Sequence, residues 1–160
     1  MTILTASDIN KTSYYKVTQE DELSVTFYTN LGIRYNVGLT KDPFIFQDNS
    51  YFLHTVSNKH PAGHDINVYN TIIAILENAF LNSKETLMLY ICDPSDSKQA
   101  ARSRLFEQWF HKYPHNNEYH LEVYHSLDNG VDYYYGLIIR KDTPNLDDII
   151  NSFKDFLTDY

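Results

Sequence analysis

Asp93, Asp96, Lys98 and Arg102 fall within ten positions of one another, inside the segment LYICDPSDSKQAARSRLFEQWF at residues 89–110. The chemistry such a set offers is anion binding. An apolar strand ends at Cys92, a short acidic loop follows, and Ser95 or Asp96 can cap a helix whose first N–H groups point at the loop. Lys98 and Arg102, four apart, add positive charge on one face of that helix. A structural reading competes. On a helical wheel Arg102 lies in the arc of Leu105, Phe106, Trp109 and Tyr113, the face that should meet a sheet, while Arg104 lies on the solvated side with Glu107 and His111. A guanidinium withdrawn from water needs a carboxylate, and Asp93 or Asp96 is nearest along the chain. No Gly-rich phosphate cradle accompanies the segment, and the two acids repel an anion unless already paired, so the ion-pair reading is preferred.

Other groups offer weaker chemistry. His60 and His64 are four apart beside Asp65, and so are His111 and His115, but Pro61, Gly63 and Pro114 break the helices that would align them. No metal is expected, and no cofactor is implied. Cys92 ends an apolar strand, where a thiol behaves as a small apolar group rather than a nucleophile. The sequence lacks a G-x-S-x-G elbow, a Walker loop and a G-x-G-x-x-G turn. Tyr133, Tyr134 and Tyr135 alternate across a strand, so they cannot form one stacking platform; a face carrying some of them is a candidate interface.

The elements that must position these groups follow from periodicity. Tyr14–Thr18 reads as a short strand. Val25 and Phe27 alternate with Ser24 and Thr26; Asn30 and Gly32 turn the chain; Ile33, Tyr35, Val37 and Leu39 resume the alternation. Residues 44–46 and 51–56 read as a further pair turned at Asp48-Asn49-Ser50. Ile66, Tyr69, Ile72, Ile73, Leu76 and Phe80 have helical spacing, with Asp65 as N-cap. Residues 86–92, TLMLYIC, are apolar at both parities and should form a central strand covered on both sides. A helix over 97–113, a hairpin of 119–126 with 131–141 around Asp128-Asn129-Gly130, and a last helix striped by Leu146, Ile149, Ile150, Phe153 and Leu157 complete the chain. The order β-β-β-β-β-α-β-α-β-β-α predicts one α+β domain over residues 1–160. Its sheet should be mostly antiparallel, with five or more strands and about three helices, the helices covering one face.

The pattern Cys92, Asp93, Ser95, Asp96, Gln99, Ala100, Ala101, Arg102, Arg104, Leu105, Phe106, Trp109, Phe110 resembles that of a family of small uncharacterised proteins from Bacteroidota, a domain of unknown function. Ile138-Ile139-Arg140-Lys141-Asp142 and the first hairpin are similar too. Ser97 departs from the pattern, where those proteins often carry Gly. The resemblance implies a cytoplasmic bacterial setting and brings no activity, cofactor or functional residue.

Composition sets the outer bounds. Of 160 residues, 42% are hydrophobic, enough for a globular core. One cysteine excludes an intramolecular disulfide and fits a reducing cytoplasm. The first residues, MTILTASDINKTSYY, lack the pattern of a signal peptide, and no run approaches the ~18 apolar residues of a membrane span, so no membrane is expected. A net charge of −8 disfavours non-specific nucleic-acid binding and allows a basic protein partner. Fourteen tyrosines suit half-exposed sheet faces or interfaces. The balance points away from an enzyme and toward a binding or regulatory module working through protein contacts, with a protein partner or a second copy of the chain. The alternative is an enzyme or sensor acting on a phosphate-bearing small molecule or a nucleic-acid end through the Cys92–Arg104 segment.

Overall fold

Alternating apolar positions and left-handed turn residues set the strands. The computed structural model describes residues 3–41, 50–59, 65–92 and 97–158. Seven strands appear: β1 (Val17–Asp21), β2 (Ser24–Tyr28), β3 (Arg34–Lys41), β4 (Ser50–Ser57), β5 (Leu87–Cys92), β6 (Tyr119–Asp128) and β7 (Val131–Arg140). The helices are α1 (Ala6–Ile9), α2 (Ile66–Asn82), α3 (Gln99–Lys112) and α4 (Leu146–Thr158). The strands are ordered β1-β2-β3-β4-β5-β7-β6 in one mixed sheet, and the fold is α+β. β4 and β5 run parallel; the β1–β2, β2–β3, β5–β7 and β6–β7 pairs are antiparallel. The first strand lies three residues later than its alternation predicts, and the single-turn α1 has no period long enough to announce it. The strand anticipated over 44–46 lies outside the described residues.

The chain divides into two compact units. The first comprises Met1–Thr40 and Leu53–Thr86. Its β2–β3 hairpin turns at Gly32, whose φ of 76° suits glycine. Val25, Phe27, Tyr35, Val37 and Leu39 are buried, as the alternation requires. Phe27 stacks on Tyr35, its cross-strand partner, and on Tyr15, with centroids 5.2 and 5.8 Å apart. The Asp65 carboxylate accepts from the Asn67 N–H and caps α2, as expected. A polar row on α2 then ties down the N-terminal segment: Thr71 Oγ1 accepts from Tyr15 N, Asn78 Oδ1 from Thr5 N, and Asn82 Nδ2 donates to Ile3 O.

The second unit comprises Lys41–Phe52 and Leu87–Tyr160. β5 lies between the first residues of β4 and residues 134–138 of β7, an interior position. β6 and β7 pair from Tyr119↔Arg140 to Asp128↔Val131, closed by Asn129 and Gly130 at φ 51° and 79°. Two successive positive φ values are what a two-residue hairpin turn demands, and Asn-Gly supplies them at least cost. One parity of β5 and β7 gives Leu87, Leu89, Leu137 and Ile139, which pack with Phe153 of α4. The other parity places Tyr90 against Phe106 of α3, ring centroids 4.4 Å apart. Both faces here carry a helix, which corrects the expectation that the helices cover one face only. Glu122 of β6 tethers α4: its carboxylate accepts from Lys154 Nζ at 3.0 Å and pairs with His120 Nε2 at 2.8 Å.

Partial burial raises the Glu122 carboxyl, but the hydrogen bonds and charges of His120 and Lys154 outweigh it and hold the group below the ordinary carboxylate value. A carboxyl lowered by folding stabilises the protein above its unfolded value, and that stability is lost as pH falls through the folded value. Glu122→Gln is therefore expected to cost about 1 kcal/mol at neutral pH. The difference from wild type should shrink as the pH falls through the lowered carboxyl's range, so that a melt at acid pH shows less of it than one at neutral pH. Urea melts at the two pH values read this directly.

Candidate functional site

The α3 segment was the first candidate, and its geometry differs from the helical-wheel reading. The helix buries Gln99 and Ser103, with Phe106 and Phe110 half-buried further along. Arg102 is exposed, and so are Lys98 and Arg104. Leu105, Phe106, Trp109 and Tyr113 of the predicted arc are half-buried, but its Arg102 is not, and the two fully buried positions are Gln99 and Ser103. The cause is local. Gln99 donates its amide to Asp132 O at 2.9 Å, so a polar side chain is accommodated on the inner face. Ser103 is small enough for α3 to lie close to the sheet. Arg102 is thus exposed, which corrects the expectation that its guanidinium is withdrawn from water. Asp93 and Asp96, its anticipated partners, lie outside the described residues. α3 begins at Gln99 with Lys98 at the N-cap position and no side-chain cap, and Ser97 adopts φ 59°. That left-handed conformation is one that glycine adopts at least cost.

Beneath α3 the groups are held neutral. Burial pushes the Cys92 thiol up to about 11; the positive charge of Arg102 opposes this and Glu107 adds to it. A thiol at that value is protonated at neutral pH and is a poor nucleophile. Burial, with the charges of Cys92 and Glu107, also raises Tyr90 well above the ordinary phenol range. Cys92, Tyr134 and His125 form one row across β5, β7 and β6. His125 Nε2 lies 2.6 Å from Asp132 Oδ1, which would orient an acid–base histidine. However, the Tyr134 ring stacks on His125 at 4.6 Å and occupies the position between it and Cys92. The row is thus no cysteine–histidine dyad.

Metal ligands do not gather among the described residues: no group of three or more His, Cys, Asp or Glu converges there. His115 Nδ1 lies 3.6 Å from Glu118 at the surface, and His111 accepts from Asn116 only through its backbone oxygen. His60 and His64 lie outside the described residues.

The opposite face carries the tyrosines that the sequence offered as an interface. Tyr133 and Tyr135 stack on one another at 6.4 Å, and Tyr134 lies on the α3 side. All three are half-buried. Beside Tyr135 opens an apolar pocket of about 110 Å³, lined by Phe52, Leu89, Tyr90, Ile91, Tyr135, Phe153, Phe156 and Leu157. Ile91, at the end of β5, is 47% exposed. Sequence reasoning missed this pocket. The run 86–92 reads as covered on both sides, and nothing in its composition marks Ile91 as the residue α4 leaves exposed. Phe156, three residues after Phe153 in α4, was the available signal.

The family model of a family of unknown function (DUF6169) matches residues 64–155, and the chain belongs to that family. No curated protein and no solved structure matches the chain.

The Tyr90 ring lies directly over Gly136, its cross-strand partner, where any Cβ would overlap the ring. Its hydroxyl is buried and meets no hydrogen-bond partner among the described residues. Gly136→Ala should therefore destabilise by about 2 kcal/mol, the scale of overpacking. Tyr90→Phe should be neutral or stabilising, because it removes a buried polar group without orphaning another. Urea melts of both variants check the pair; a large loss in Tyr90→Phe would reveal a partner for that hydroxyl.

Proposed function

We propose that this chain is a non-enzymatic protein-binding module of the bacterial cytoplasm, and that the apolar pocket beside α4 receives one apolar side chain from a basic protein segment. The pocket carries the reading. Its lining offers aromatic and aliphatic surface, so it selects by shape and desolvation, as the anchor pockets of protein interfaces do. A volume of about 110 Å³ suits a single branched aliphatic side chain: a cavity of ~150 Å³ already takes a benzene ring. Tyr133 and Tyr135 extend the same face, and tyrosine is enriched at interfaces. The net charge of −8 favours positive flanks on the incoming segment.

The alternative, an enzyme or sensor of phosphate-bearing molecules at the start of α3, has less support. The exposed Lys98 and Arg102 supply charge there, but Gln99 Oε1 is a buried acceptor with no partner among the described residues, and an acceptor repels an anion.

Peptide display on the wild type and on Ile91→Arg tests the proposal. Ile91 is exposed enough for the charge to stay in water, so the fold should persist while the pocket mouth is blocked. Peptides with an apolar anchor and basic neighbours should be enriched on the wild type and bind the variant at least ~10-fold more weakly. Equal enrichment on both would refute the pocket, and phosphate-reversed binding at Lys98 and Arg102 would favour the alternative.

A further inference from the structure

We propose that the outer edge of β6 pairs with the same edge of a second copy of this chain, antiparallel about a two-fold axis at Tyr124. This surface is distinct from the pocket, and the two proposals stand or fall separately. β6 is the last strand in the sheet order, and no strand lies on its far side among the described residues. All ten of its residues pair with β7 without a register shift. A regular edge of that length presents a row of unsatisfied N–H and C=O groups, a template for another strand.

The contrast with β1, the other terminal strand, is informative. β1 has five residues and a register shift between Gln19 and Asp21. The N-terminal segment bonds to it: Gln19 donates to Leu4 O and accepts from Ala6 N, and Leu4 N donates to Glu22 O. Shortness, a bulge and a covering segment are the usual protections of an edge. Among the described residues β6 has none of these. Its one inward charge, Glu122, is already matched by Lys154 and His120.

The sequence of β6 is self-complementary in the proposed register. Centring on Tyr124 sets Leu121 against Leu127, His120 against Asp128, Glu122 against Ser126 and Val123 against His125, each pair occurring twice. Same-face positions meet in every case. Leu127, 68% exposed in the single chain, gains an apolar neighbour, and a histidine meets an aspartate rather than a like charge at each end. Centring on Glu122 would oppose two carboxylates, and centring on Val123 would set Glu118 against Asp128.

Sedimentation equilibrium under reducing conditions, from about 5 to 200 µM, tests this range of association. The wild type should show a monomer–dimer equilibrium, and Leu127→Lys should weaken it at least ~10-fold. Leu31→Lys, on a still more exposed residue of the other unit, should leave it unchanged. Amide exchange should show alternate β6 amides slowing with concentration. A wild type that stays monomeric overturns the proposal, as does a dimer that Leu127→Lys leaves intact or β6 exchange independent of concentration.

Discussion

A strand covered on both faces must satisfy two different surfaces with alternate residues, and the second unit depends on how β5 and β7 meet that constraint. One parity, Leu87, Leu89, Leu137 and Ile139, is aliphatic and closes under Phe153. The other puts the large Tyr90 ring opposite Gly136 and beneath Phe106. Without a missing side chain at 136 the ring could not lie flat across β7, and α3 could not approach. The same burial keeps the Tyr90 phenol and the Cys92 thiol protonated at neutral pH. Cys92 is therefore a packing group in the fold, as its place at the end of an apolar strand implies.

The same constraint accounts for the pocket. α4 covers β5 and β7 through Phe153 and ties to β6 through Lys154 and Glu122. Its last turn brings Phe156 and Leu157 near the end of β5, where Ile91 and Tyr135 are only partly covered. An apolar recess left at the margin of a well-packed core is a place where another molecule's side chain can complete the packing.

Much of this was legible in the sequence, for identifiable reasons. Asn129-Gly130 determines its hairpin because few residues accept two positive φ values in succession. Asp65 caps α2 because its carboxylate reaches an otherwise unsatisfied N–H. The α3 face was legible only in part. Hydrophobicity marks Leu105, Phe106 and Trp109, all half-buried, but not the fully buried Gln99, which the sheet beneath accepts through Asp132 O, or Ser103, which allows close approach. Both reasons lie on another strand and leave no trace in the helix's own period. The pocket was hidden likewise, since exposure of Ile91 depends on where α4 ends rather than on β5 itself.

The account rests most heavily on the pocket as an apolar side-chain receptor. Methyl NMR of the intact chain, titrated with N-acetyl-leucine amide to about 50 mM, tests it most directly, because one small side chain binds only in the millimolar range. Saturating shifts should concentrate on the methyls of Leu89, Ile91 and Leu157, with the exposed Leu31, Leu81 and Leu127 as controls. Linear, unsaturated shifts spread equally over those controls would contradict the account.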